Sequence, residues 1–353
     1  IRTIANMVST LGDQLLFKVL TLDRDLGCLQ PYSGIHSNNW QPVGKAEVFY
    51  VSPEILNWKF LRRIITETPH DILYLNSFFS IYFGLIPMIL HHVGLVPQKP
   101  MILANRGQFS NGALKLKSFK KRVYINFVKL LNLHKNVIWQ VSSGYEKEDV
   151  CKIFQKSIKN QSQLTAIIAP DLPDIKMIEN TKTSHKESGH IKIAFLSRIS
   201  SKKNLDGALE MLEGLRGQIL LNIFGPLEDI VYWKNCQRII DKLSNNVQVR
   251  YQGLVNHKEV IRVLAEHNLF FLPTHGENFG HVILEALAAG CPVLISDQTP
   301  WRGLEEKGVG WDLPLDHPEH FTAILQQCID MDHHDFSVYS VRARKYAERK
   351  MLD

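Results

Sequence analysis

The chain has 353 residues, 45% of them hydrophobic and 22% charged, and a formal net charge of +6. That is the make-up of a globular protein with room for two ordinary domains, not of a disordered or fibrous chain. The charge is mild for this size and comes with no arginine-rich tract or base-stacking motif, which argues against a nucleic-acid partner. Five cysteines, Cys28, Cys151, Cys236, Cys291 and Cys328, stand far apart, so reduced thiols in a cytoplasmic protein are expected. The histidines form only two adjacent pairs, His91–His92 and His333–His334, and no metal site is expected. The most apolar segment, 78–96, is broken by Pro87, His91, His92 and Gly94. It reads as a buried helix and turn, not a membrane span.

Residues 1–11 read as a helix and 15–22 as an apolar strand, with further strands at 46–51, 71–76, 100–104, 137–142 and 166–169. Between them lie an amphipathic helix at 55–67, helical residues up to 90 and a polar helix at 146–156. A doubly wound domain opens on a strand and a glycine-rich turn, so that first strand is expected upstream of Ile1. The loop Asn105-Arg106-Gly107 follows a strand at its carboxyl end, where open α/β sheets place ligands. Arg106 there suits a phosphate or an acidic acceptor, and equally a structural carboxylate.

Charge order sets one stretch apart. Between Asp71 and Glu146 no acid occurs in 74 residues, while nine lysines and arginines do. Seven of these fall within residues 115–135, interleaved with Leu116, Phe119, Val123, Tyr124, Phe127, Val128, Leu130 and Leu131. That composition suits an interfacial helix on an anionic membrane, peripheral to its inner face. It also suits a core helix whose outer face happens to be basic.

Residues 171–190 are polar and rich in turn formers, the best linker in the chain. They divide a first domain, 1–170, from a second, 191–335, with a last helix at 336–353. The second domain opens on a buried strand, 191–196, then the loop Ser197-Arg198-Ile199-Ser200-Ser201-Lys202-Lys203-Asn204 and a helix at 205–215. Arg198 and Lys203, at a strand-to-helix junction, can converge on one anion. Further strands are expected at 218–224, 247–251, 269–272 and 308–313, with helices at 231–243, 257–267, 318–331 and 338–351.

The chain is organised around residues 271–300, FLPTHGENFGHVILEALAAGCPVLISDQTP. An apolar strand runs into a loop, then a helix at about 279–289 closed by Gly290, then a strand at 292–296. Glu277 stands before the helix and Glu285 about two turns in, roughly 80° around the axis. The free amides near Asn278 suit a phosphate or a polarised hydroxyl. Taken alone, the two acids read equally as a cap and a solvated helix residue.

The stretch from Glu277 to Leu294 resembles the donor-site signature of retaining glycosyltransferases of family 4, which have the GT-B fold. This chain departs from that signature only in having Asn278 where glycine is usual. The resemblance implies two Rossmann-like α/β domains facing a cleft, the second binding a nucleotide-sugar donor, and a last helix that crosses back to the first. It implies Glu277 beside the transferred sugar, Glu285 on the nucleotide ribose, and Arg198 with Lys203 as the diphosphate clamp in place of a metal or other cofactor. Asn278, Phe279, Gly280, His281, Gly225 and Leu254 would line the donor, and Asn105 with Arg106 the acceptor side. The acceptor would be a glycan or a lipid-linked molecule in polysaccharide synthesis. A nucleotide-sugar epimerase of the same fold, or a non-catalytic donor-binding protein, would carry much of the same pattern.

Overall fold

Apolar strand runs alternate with amphipathic helices, the order that builds parallel sheets, and in the computed structural model they do so in two units. These are Ile1–Asp174 and Ile175–Asp353. The structure describes residues 2–25, 28–110, 113–114, 118–154, 164–172 and 184–352. Lys115, Leu116 and Lys117 lie outside the described residues, as do residues 173–183 of the expected linker.

The first unit opens with helix α1 (Arg2–Leu11) and strands β1 (Phe17–Leu22), β2 (Trp40–Val43) and β3 (Ala46–Val51). β1 pairs in parallel with β3, Val19 opposite Val48, and β2 pairs antiparallel to it. β2 escapes the sequence pattern because it is short and contains Pro42. It lies at the sheet edge, where the missing N–H of proline is tolerated. Helix α2 (Trp58–Glu67) is capped by Asn57, whose side chain accepts from the amides of Lys59 and Phe60, both at 3.0 Å. It buries Phe60, Leu61, Ile64 and Ile65.

A four-stranded parallel sheet follows: β4 (Leu73–Leu75), β5 (Met101–Ala104), β6 (Ile138–Val141) and β7 (Ala166–Ile168), adjacent in that order. Between β4 and β5 the apolar segment forms a π-helical turn, Ile81–Leu85, and helix α3 (Ile86–His92), which buries Met88 and Leu90. Among the described residues no helix is long and apolar enough to cross a membrane. Helices α4 (Ser118–Leu130) and α5 (Gly144–Phe154) flank β6 in the chain. Phe78, Phe109, Trp139 and Phe154 meet in one aromatic core with ring centroids 4.9–5.8 Å apart.

The second unit is built on six parallel strands: β8 (His190–Leu196), β9 (Gln218–Phe224), β10 (Val247–Gly253), β11 (Leu269–Leu272), β12 (Val293–Ser296) and β13 (Gly310–Leu313). Their spatial order is β10-β9-β8-β11-β12-β13. The winding direction therefore reverses between β8 and β11, the switch point at which doubly wound sheets leave a crevice. β11 and β12 are buried at every position, as continuous Leu, Phe, Val and Ile runs covered on both faces must be.

The helices are α6 (Leu205–Glu210), α7 (Ile230–Ile240), α8 (Val260–Ala265), α9 (His281–Ala288), α10 (Pro318–Asp330) and α11 (His333–Leu352). α6 closes five residues before the expected end, and α9 begins two residues after the expected start. Ala343 and Ala347 on α11 belong to the second unit's core. Just before β8, Lys186 is buried and donates to the carbonyls of Glu187, Ile329 and Met331 at 2.8–2.9 Å. Ser188 adds a bond to the Asp330 carbonyl at 2.9 Å. These contacts satisfy carbonyls at the end of α10 that its own helix leaves open.

Candidate functional site

The loops that leave β8 and β11 form the two sides of the switch point, and they are stitched together. After β8, Ser201–Lys203 makes a 3-10 turn, and Asn204 enters α6 in the left-handed region, φ 58°. The Asn204 amide donates to the Pro273 carbonyl at 2.8 Å. The Lys202 carbonyl accepts from the His275 amide at 2.9 Å and the Thr274 hydroxyl at 3.0 Å. From the far side the Glu277 amide reaches the Gln298 carbonyl at 3.0 Å. The loop at 273–277 is thus fixed on both flanks.

That stitching brings Lys203 to Glu277. The ammonium donates to Glu277 Oε1, and their side chains are only 8% and 16% exposed. An ion pair so far withdrawn from water is strongly coupled, and breaking one half leaves the other charge unmatched. Arg198, in the same β8 loop, points elsewhere. It pairs with Glu228 at 2.6 Å, and both side chains are largely exposed. The two cations of the expected clamp therefore share one loop while each holds its own acid.

Helix α9 starts from Gly280, whose φ of 76° lies in the left-handed region. The free-amide end expected near Asn278 is accordingly displaced to His281. Phe279 packs on His281 with centroids 4.8 Å apart and on Trp301 at 5.7 Å. Its carbonyl also accepts from the Trp301 indole at 2.5 Å. Glu285 is no solvated helix residue; it is fully buried. Its Oε1 lies 3.8 Å from Nδ1 of His257, whose side chain is 45% exposed.

Gly225, at the end of β9, has φ 127°, and a Cβ there would collide with the Ser197 carbonyl oxygen. Only glycine lets the β8 and β9 loops approach so closely. Its own carbonyl accepts from the Tyr251 hydroxyl at 2.8 Å. Leu254, after β10, is 75% exposed, an apolar side chain left in water at the same end of the sheet.

In the first unit Arg106 is a structural cation. Its Nε donates to Asn76 Oδ1 at 2.9 Å and Nη2 to the Tyr74 hydroxyl at 2.6 Å, while Nη1 pairs with Asp171. The guanidinium thus holds a carboxylate of its own unit, one of the two kinds of partner that the sequence left open for it. Burial pushes the Asp171 carboxyl above its ordinary value although the Arg106 charge opposes this. Asn105 is fully buried, and neither side-chain polar atom has a hydrogen-bond partner among the described residues. Among those residues no group of three or more His, Cys, Asp or Glu could hold a metal ion.

Residues 177–345, nearly the whole of the second unit, match the family described as Glycosyl transferases group 1. In fold the chain is similar to the crystal structure of Anabaena Alr3699/HepE in complex with UDP and glucose. The TM-score is 0.64, with 14% identity over 95% of each chain. The fold is GT-B. In sequence the chain is similar to an uncharacterized 41.2 kDa protein in the cps region of Klebsiella pneumoniae. These are 24% identical over 64% of this chain and 60% of that protein. It is also similar to O-antigen chain mannosyltransferase B of Escherichia coli, 27% identical over 30% of this chain and 28% of that protein. The chain thus spans less than two thirds of the length of these relatives.

Several residues at the site were not legible from sequence. Thr274 and Gln298 tie the loops, Glu228 holds Arg198, and His257 covers Glu285. None belongs to a recognisable spacing, since each meets its partner only through the sheet order.

Proposed function

We propose that this chain is a retaining, metal-independent hexosyltransferase of glycosyltransferase family 4, acting in the cytoplasm in cell-surface polysaccharide synthesis. It moves a sugar from a nucleoside-diphosphate donor to a glycan or lipid-linked acceptor. The observation that carries this reading is the shielded Lys203–Glu277 pair at the switch point of the second unit. A cation and a carboxylate held there can divide the donor between them, Lys203 taking the diphosphate and Glu277 the hydroxyls of the sugar.

As the bond from the anomeric carbon to the diphosphate oxygen breaks, the electron pair leaves with the diphosphate. Fixed cations aimed at that growing charge stabilise the transition state more than the ground state. Lys203 and the exposed Arg198 supply this charge, and the backbone amides that open α9 at His281 add to it. Phe279 and His281 shape the wall beside the diphosphate. Gly225 lets the β8 and β9 loops close together beside the donor, Leu254 offers an apolar surface to the base, and Glu285 accepts from the ribose once His257 moves aside. The likeness to a mannosyltransferase and to a structure in complex with UDP and glucose supports the donor class.

Incubating the protein with a panel of nucleotide sugars, with and without glycan or lipid-linked acceptors and in the presence of EDTA, tests the reading. Acceptor-dependent release of nucleoside diphosphate is expected. Isomerised donor with no acceptor dependence would make the protein an epimerase, and loss of turnover restored by manganese or magnesium would make it metal-dependent.

A further inference from the structure

Helix α4 (Ser118–Leu130) buries Ile125 and Val128 against the first unit's core. Its opposite side is not the charged face such a helix should show to water. Phe119 and Leu130 are each 77% exposed, Val123 54% and Phe127 41%. At about 100° per residue these four fall within roughly an 80° stripe. The stripe points away from Val128. On its flanks stand the exposed Lys120 and Arg122. Two other cations of the helix turn inward instead: Lys121 lies over the Phe79 ring at 5.2 Å and Lys129 over the Phe154 ring at 5.9 Å. The outer face is therefore apolar at its centre and basic at its margins, and neither alternative drawn from the sequence describes it fully.

We propose that this outward face of α4 docks on an anionic lipid surface. Four exposed apolar side chains in a row mark an interaction surface, and the flanking cations select its occupant. A bilayer with anionic headgroups accepts both features at once, apolar side chains entering the acyl boundary while lysine and arginine meet the headgroups. A second copy of the chain fits less well, because nothing acidic occurs between Asp71 and Glu146. A symmetric contact across this helix would set Lys120 and Arg122 against like charge. Docking does not depend on the glycosyl-transfer reading, though it would bring the first unit to where lipid-linked acceptors lie.

The test is sedimentation of the full chain with phosphatidylcholine vesicles, with and without phosphatidylglycerol, while UDP binding is followed separately. Wild-type protein is expected to pellet with the anionic vesicles at low salt and to be released at high salt. Each cation near such a surface is worth about a five-fold change in partition. Lys120→Glu with Arg122→Glu should therefore weaken it at least twenty-fold by that same arithmetic. Phe119→Ser with Leu130→Ser should weaken it about ten-fold or more even at low salt, which attraction of charge alone would not produce. Both pairs lie on the surface, so an unchanged melting temperature and unchanged UDP affinity are expected. Wild-type protein that ignores anionic vesicles at low salt overturns the proposal. So does a concentration-dependent dimer, abolished by the serine pair, in protein that binds no vesicle.

Discussion

Lys203 and Glu277 stand 74 positions apart in the chain, yet form a shielded ion pair because β8 and β11, whose loops carry them, are neighbours in the sheet. The Lys202 carbonyl and the Asn204 amide, one on either side of Lys203, fasten that lysine's loop to the loop of Glu277. The pair is thus preorganised, and either charge becomes available to a ligand when the ligand replaces the other.

From this follows the first prediction. Lys203→Met should lower kcat by about 10²–10³-fold, the usual cost of losing one fixed donor at a developing charge, with a smaller change in KM. Glu277→Gln should lower kcat as well, and the double variant should fall short of the product of the two single losses, because each leaves its partner unmatched. Steady-state kinetics on the four proteins measures this. Strictly additive losses would separate the two residues.

Glu285 bears on affinity more than on rate. Glu285→Ala should weaken nucleoside-diphosphate binding by about 1–3 kcal/mol, as expected when a charged hydrogen-bond acceptor is removed. Calorimetric titration with UDP and with the matching deoxyribose nucleotide reads the effect. If Glu285 meets the ribose, the alanine variant should lose most of the preference between the two. An undiminished preference would assign Glu285 to the core alone.

Lys186 holds the end of α10 through the carbonyls of Ile329 and Met331, and bonds that of Glu187 as well, from a buried position. Lys186→Met keeps the aliphatic stem and deletes the donors, so it should cost about 2–4 kcal/mol in the second unit. Urea unfolding followed by tryptophan fluorescence, to which Trp311, buried in that unit, contributes, measures it. A change under about 0.5 kcal/mol, the scale of an ordinary surface substitution, would contradict the assigned role.

Acid should weaken the fold through buried neutral histidines. His267 donates from Nδ1 to the Val263 carbonyl at 2.7 Å, and its Nε2 accepts from the Asn222 amide at 2.9 Å. Burial lowers the affinity of His267 for a proton, and the same cause acts on His134, which stacks on Phe154 at 5.0 Å. Both bind a proton more readily unfolded than folded. Stability is therefore full above about pH 6.5, the ordinary histidine value, and declines as pH falls below it. Urea midpoints across this range check the sign, and His267→Gln should flatten the slope by up to about 1.4 kcal/mol per pH unit.

Much of this was legible in the sequence where local pattern and global order agree. β8, β9, β11 and β12 announce themselves as short apolar runs, and the 271–300 stretch carries its loop and helix in order. The limits are physical. Pro42 hides β2, because a proline at a sheet edge looks like a strand breaker until the edge is known. Arg106 reads equally as a ligand group and as the partner of a structural carboxylate, and the sequence does not say that this carboxylate is Asp171, 65 residues on. Gly280 shifts the start of α9, since a left-handed residue there costs glycine little. His257 and Glu285 lie in different helical segments, 28 positions apart, and no periodicity joins them. On α4 the sequence carries the right residues, but not which lysines turn inward.

The central claim is transfer with retention from a nucleoside-diphosphate sugar, driven by Lys203 and Glu277 without a metal. Proton NMR of the anomeric signals tests it most directly, recorded as wild-type protein consumes the active donor with acceptor and EDTA present. The account predicts a new glycosidic anomeric signal of the donor's own configuration, appearing together with free nucleoside diphosphate and absent from the Lys203→Met protein. A product of inverted configuration, or an isomerised donor with no nucleoside diphosphate released, would contradict it.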